Sequence, residues 1–148
     1  MNKIVLDYTI LKSLLIPDDP KHELAESMIL TLDDRTTCYM PYHIFIQVMQ
    51  LCNNYNDEII EEIFYTLTNT CRIQNLNFKE LQNNYSTILH STDNMDFNDC
   101  LTIEYMKEKN MKVIMSFNEK FDKFKFINRV YDFDEHNKNR LNFFKYVE

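Results

Sequence analysis

Ile4-Val5-Leu6-Asp7 is the stretch whose reading sets the fold class. Three consecutive apolar residues closed by a carboxylate read as a short strand buried on both faces. Such strands belong to parallel sheets covered by helices. The pattern returns at Thr37-Cys38-Tyr39-Met40, closed by Pro41, and at Lys112-Val113-Ile114-Met115, followed by Ser116. Weaker strands are expected at Arg72-Ile73-Gln74-Asn75-Leu76 and Asn128-Arg129-Val130-Tyr131. Helical spacing of apolar residues fills the intervals. One helix is expected over 9–16 and another over 20–32, with Asp19 as N-cap and Pro20 at the first helical position. Further helices carry Ile44, Phe45, Val48 and Leu51, then Ile59, Ile63 and Leu67, then Leu81, Tyr85 and Ile88 within 78–91. Asp96 opens a helix bearing Cys100, Ile103 and Met106; a short turn follows near Glu119, and a last helix is expected from His136 to Val147. Strands alternating with helices predict an α/β fold. Its expected form is a three-layer α/β/α domain with a parallel sheet of four or five strands, one domain over 1–148.

The 148 residues include no glycine, where average usage of about 7% would place roughly ten. That excludes the glycine-dependent phosphate loop, dinucleotide fingerprint and nucleophile elbow. Helices are expected to end on Asn, Lys or Pro instead of a glycine cap. An apolar content of 45% excludes a disordered chain. The net charge of −7 denies the surface as a whole an attraction for nucleic acid, although residues 112–148 carry eight Lys/Arg against six Asp/Glu. Cys38, Cys52, Cys71 and Cys100 form no CxxC pair and the four histidines show no HxxxH spacing, so reduced thiols are expected and a zinc site is not. Asp7 and Lys12 interrupt the one early apolar stretch, and no run reaches the roughly 18 apolar residues of a membrane span. A cytoplasmic location is the expectation.

Ligands of open α/β sheets bind beyond the carboxyl ends of the strands. Four polar residues stand there or on the adjoining helices. Asp7 follows the first strand, Asp99 lies in the first turn of the helix before the fourth, Asn118 follows the fourth, and Gln47 interrupts an apolar helix. Each also has a plain structural role. Asp7 and Asp99 suit helix starts, Asp99 beside an Asp96 N-cap; Gln47 suits a helix boundary; Glu119 and Asp122 suit the surface.

The ordered set resembles the PIN domain family, the fold of many magnesium-dependent ribonucleases including VapC-like toxins. The resemblance covers about residues 3–133 and leaves 134–148 as an extension. It is carried by Ile4-Val5-Leu6-Asp7-Tyr8-Thr9, by Pro41 leading into Phe45-Ile46-Gln47-Val48, by Phe97-Asn98-Asp99-Cys100-Leu101, and by Val113-Ile114-Met115-Ser116-Phe117-Asn118 with Phe121-Asp122-Lys123-Phe124. It implies a catalytic pocket of Asp7, Gln47, Asp99 and Asn118, with Mg²⁺ or Mn²⁺ held by Asp7 and Asp99. It further implies substrate contacts from Thr9, Ser116, Lys120 and Lys123, with RNA as substrate and an antitoxin as protein partner. Gln47 and Asn118 stand where the family usually carries acids. Magnesium favours hard anionic oxygens, so two amides imply weak endoribonuclease activity, or a module that has lost catalysis and only binds RNA or protein. Phe143, Phe144, Tyr146 and Val147 are expected to pack on the body or across a homodimer.

Overall fold

The computed structural model describes residues 2–83 and 95–132. Five strands form one parallel sheet: β1 (Asn2–Leu6), β2 (Thr36–Pro41), β3 (Cys71–Gln74), β4 (Val113–Met115) and β5 (Asn128–Val130). Their order is β3-β2-β1-β4-β5. The chain therefore builds outward from β1 in one direction, then returns to its other side. Val5 pairs with both Tyr39 of β2 and Ile114 of β4, which makes β1 the centre and the β1/β4 junction the point where strand order reverses.

Alternation along each strand sends side chains to two cores. Ile4, Leu6, Met40, Val113 and Met115 face helices α1 (Tyr8–Leu15), α2 (His22–Leu30), α3 (Tyr42–Leu51) and α4 (Asp57–Thr70). Val5, Tyr39 and Ile114 face α5 (Phe97–Glu108), packing with Cys100, Ile103 and Met106. The result is the expected three-layer α/β/α arrangement. Within the described residues no helix is long and apolar enough to cross a membrane, and no disulfide joins the four cysteines.

Local differences from the sequence reading have physical causes. Helix α2 begins at His22, with Lys21 at its N-cap position. Asp19 instead accepts the Lys21 amide at 2.8 Å and closes a turn before the helix, so Pro20 is spent on the turn. The third strand ends at Gln74, two residues short of expectation, once its partner β2 stops at Pro41. Four helices reach C-caps on Ile16, Thr31, Cys52 and Cys71, contrary to the expected Asn, Lys or Pro. Helix α5 does conform. Its cap is Lys109, and Asn110 follows with φ of 51°. Met111 N–H reaches Met106 carbonyl at 2.7 Å and Asn110 N–H reaches Lys107 carbonyl at 3.2 Å, the paired bonds of a Schellman cap with asparagine in glycine's place. The helical reading of 78–91 is met over 78–83; its remainder, and the expected helix over 136–147 with Phe143, Phe144, Tyr146 and Val147, lie outside the described residues.

The cap makes a specific demand on residue 110. A β-branched side chain is penalised in left-handed backbone, so Asn110→Val is expected to cost about 1–2 kcal/mol, whereas Asn110→Gly should hold or raise stability. Urea unfolding followed by circular dichroism measures both; equal stability of the two variants would contradict the cap assignment.

Candidate active site

The carboxyl edge of β1 and β4 is tied together by one buried carboxylate. Asp7 is 3% exposed, and its backbone N–H continues the sheet by donating to Met115 carbonyl at 3.1 Å. Its side chain acts as the N-cap of α1. Asp7 Oδ2 accepts from the Ser116 hydroxyl at 2.7 Å and the Thr9 hydroxyl at 2.8 Å. Both hydroxyls then accept in turn: Thr9 Oγ1 from Phe117 N–H at 2.9 Å, and Ser116 Oγ from Asn118 N–H at 3.0 Å. The loop after β4 is thereby fastened to the start of α1.

Asn118 carries the network to the second acid. Its Nδ2 donates to Asp99 Oδ2 at 3.2 Å, while its Oδ1 accepts from Lys120 N–H at 3.1 Å and caps the following 3-10 turn over Glu119–Lys123. Those two bonds fix the amide orientation, with the nitrogen toward Asp99. Asp99 itself donates its backbone N–H to the Asp96 N-cap at 2.8 Å, so the expected capping role and the site role coexist. Asp7, Ser116, Asn118 and Asp99 thus form one continuous chain of hydrogen bonds.

The electrostatics follow from crowding acids without a cation. Burial pushes the Asp7 carboxyl above its ordinary value, against the hydrogen bonds from Ser116 and Thr9 that lower it. Asp99 is pushed up to about 6 by burial first, then by the charges of Asp96 and Asp7, with the Asn118 amide working the other way. Glu104 makes the contrast. It is equally buried at 3% but has the Lys107 ammonium at 3.2 Å.

Gln47 stands apart from this network. It is half-buried on α3, one turn after His43, and no hydrogen bond joins it to Asp7 or Asp99. Lys120 and Lys123 are exposed on the 3-10 turn; Lys120 enters the network only through its backbone. Three residues that the sequence reading did not single out adjoin the site. Lys21 places its ammonium 4.6 Å from the centre of the Phe117 ring. His43 Nε2 lies 2.8 Å from the Thr102 hydroxyl, one turn along α5 from Asp99. Arg129, with a side chain 6% exposed, makes a bidentate pair with Asp122 at 2.8 Å and donates to Ser116 carbonyl at 3.2 Å. Asp122 is therefore more than a surface acid: it anchors the arginine that braces the β4 loop. A charged residue inside the Asn128–Val130 strand was the available signal for Arg129; Lys21 and His43 carried none, because their neighbours come from distant segments.

A divalent ion makes definite demands on its donor set. Among the described residues no three His, Cys, Asp or Glu side chains group into a metal cage. Mg²⁺ commonly takes one or two carboxylates and keeps its remaining waters. Asp7 and Asp99 fit that demand for one largely hydrated ion and offer nothing for a second.

A model of the PIN domain matches residues 4–127, and the chain belongs to the PIN domain family. Its fold is shared with the crystal structure of VapC20 of Mycobacterium tuberculosis, described as a sarcin-ricin loop cleaving toxin. The two are 15% identical with a TM-score of 0.70, over 84% of this chain and 96% of that one. It is shared also with VapBC2 of Rickettsia felis bound to a promoter DNA fragment, at 12% identity and a TM-score of 0.65 over 86% of this chain and 97% of that one. A toxin–antitoxin complex from Klebsiella pneumoniae gives 14% identity and a TM-score of 0.63 over 88% of this chain and 99% of that one. No curated protein sequence matches the chain.

The raised Asp99 value fixes a pH dependence for the metal-free protein. The folded state holds this proton up to about pH 6, the unfolded state only to about its ordinary value of 3.8. The folded state binds more protons in that window, so stability falls as pH rises through it and stays lower above. Asp99→Asn should therefore raise the melting temperature at pH 7.5 in EDTA by about 2–4 °C, roughly 1 kcal/mol after allowance for solvent screening. At pH 4 it should change little. A variant less stable than wild type at pH 7.5 would contradict the assignment.

Proposed function

We propose that this chain is a divalent-metal-dependent endoribonuclease of the VapC toxin type, with weak activity. The observation that carries this reading is Asp7, buried where strand order reverses and electrostatically coupled to Asp99. Asp7 is shifted by burial and by hydroxyl and backbone hydrogen bonds with no basic side chain among them, and a carboxylate so placed is suited to receive a cation. Membership of the PIN domain family and the toxin names of its structural neighbours support the same reading.

In this reading Asp7 and Asp99 hold one Mg²⁺ or Mn²⁺. Such an ion supplies charge neutralisation at the scissile phosphate and activates water for attack. The chain's own residues do the rest. Ser116 and Thr9 aim the Asp7 carboxylate, and the Arg129–Asp122 pair braces the Ser116 backbone. Lys21, Lys120 and Lys123 offer cations to flanking phosphates of the RNA. Asn118 limits the activity, since it turns an N–H toward Asp99 where an anionic ligand would help most. That same amide favours a second reading, a PIN domain that binds RNA or a protein partner without cutting. An antitoxin is the protein partner proposed, because two of the structural neighbours are toxin–antitoxin assemblies by name. A homodimer and a cytoplasmic location complete the proposal.

Two measurements test it. Single-stranded RNA with millimolar Mn²⁺ should be cleaved slowly by the wild type, and at least a hundredfold more slowly by Asp7→Asn. No cleavage by the wild type under any Mn²⁺ or Mg²⁺ concentration would leave the binding module in its place. Calorimetric titration of Mn²⁺ into Asn118→Asp should show about tenfold tighter binding than the wild type, as an anionic oxygen replaces an amide. The metal-free variant should melt lower, because three acids then crowd together. Unchanged Mn²⁺ affinity would remove Asn118 from the site.

A further inference from the structure

Along the carboxyl edge of the sheet the groups fall in a definite order. Beyond β4 stand Phe117, with the Lys21 ammonium over its ring, and the lysines of the 3-10 turn. Beyond β1 stand the acids. Beyond β2 and β3 lies a cavity of about 210 Å³. Its inner wall is apolar, formed by Leu76, Leu101 and Tyr105. Tyr42 and Phe97 stand on its outer side, 47% and 59% exposed. Adjacent strands are about 4.8 Å apart, so the cavity lies one to two strand spacings, about 5–10 Å, from Asp7. Phe97 also precedes Asp99 by two residues in the first turn of α5.

The chemistry of the cavity selects a flat, neutral occupant. Its titratable lining groups are His43, Tyr42 and Tyr105; burial pushes His43 down to about 4, so it is uncharged at neutral pH, and pushes the Tyr105 phenol up. The Thr102 hydroxyl donates its proton to Asn98 carbonyl at 3.0 Å and therefore accepts from His43 Nε2–H at 2.8 Å. His43 is also hydrogen-bonded at the Asn98 backbone. With no Lys or Arg in its lining, the cavity itself does not recognise phosphate. Exposed aromatic rings beside an apolar wall are what an unpaired base uses, since stacking is strong and tolerant of base identity.

We propose that this cavity is a nucleobase subsite, which takes one unpaired base of an RNA strand, stacked on Tyr42 and Phe97, while that strand's adjacent phosphate lies at Asp7 and Asp99. The inference rests on the reading of the two acids as an RNA-cleaving site and adds to it the element that positions the strand. Backbone phosphates continue toward Lys21 and Lys120, so the strand crosses the sheet edge from aromatic to basic end.

The test uses a hexanucleotide RNA carrying 2-aminopurine, whose fluorescence is quenched on stacking, with the full-length chain in Ca²⁺. The protein has no tryptophan, so the probe is read without background from that residue. Wild type should bind and quench the base. Phe97→Leu and Tyr42→Leu, both at exposed positions, should each weaken binding about tenfold and lose the quench, with the Mn²⁺ affinity unchanged. Phe97→Tyr should restore both. A hexanucleotide with an abasic site at the quenched position should bind wild type and the leucine variants equally. Leucine variants that bind and quench like wild type, while Mn²⁺-dependent cleavage persists, overturn the subsite and leave the nuclease reading standing. A wild type that neither binds the hexanucleotide nor cleaves RNA overturns both.

Discussion

One buried carboxylate holds the carboxyl edge of this molecule in shape. Asp7 closes β1, caps α1 and receives the hydroxyls of Thr9 and Ser116, and those hydroxyls hold the amides of the loop after β4. The contacts join segments more than a hundred residues apart, across the junction where strand order reverses. Hydrogen bonds to a carboxylate are stronger than neutral ones, but hydroxyls alone do not offset the desolvation of a charge. The raised Asp7 and Asp99 values express that imbalance. Elsewhere the fold solves the same problem with a cation, as Glu104 does with Lys107.

Charge is therefore arranged locally in a chain of net −7. The acids sit at the centre of the carboxyl edge, lysines on one side and exposed aromatic rings on the other. This order is a consequence of strand order. The segment after β4, with Lys21 from before α2, contributes the cations, β1 the first acid, and the ends of β2 and β3, with the starts of α3 and α5, the aromatic cavity. Long-range attraction of an anionic ligand is weak for such a surface, so the RNA binding proposed above rests on contacts at short range.

The fold was legible because short apolar runs, each closed by a polar residue or Pro41, marked the central strands. Asp7 and Asp99 were legible as a pair only through the order of several weak motifs; each alone reads as a helix-start acid, and Asp99 is indeed one, bonded to Asp96. Gln47 was placed in the pocket by analogy of position, yet no hydrogen bond carries it into the network. What stayed hidden was set by tertiary neighbours. The amide orientation of Asn118 depends on Lys120 and Asp99 together, and the bracing role of Arg129 depends on a carbonyl thirteen residues earlier. The Asp19 turn shows the same limit at short range, since a capping residue and a turn residue look alike until the chain's direction is known.

The central proposal is that Asp7 and Asp99 together hold one cation. The most direct measurement is anomalous diffraction from crystals of the full chain soaked in Mn²⁺. The account predicts a single anomalous peak within about 2.0–2.6 Å of one oxygen of each carboxylate, lost in crystals of Asp7→Asn. No peak between the two carboxylates at saturating Mn²⁺, or one elsewhere that survives Asp7→Asn, would contradict it.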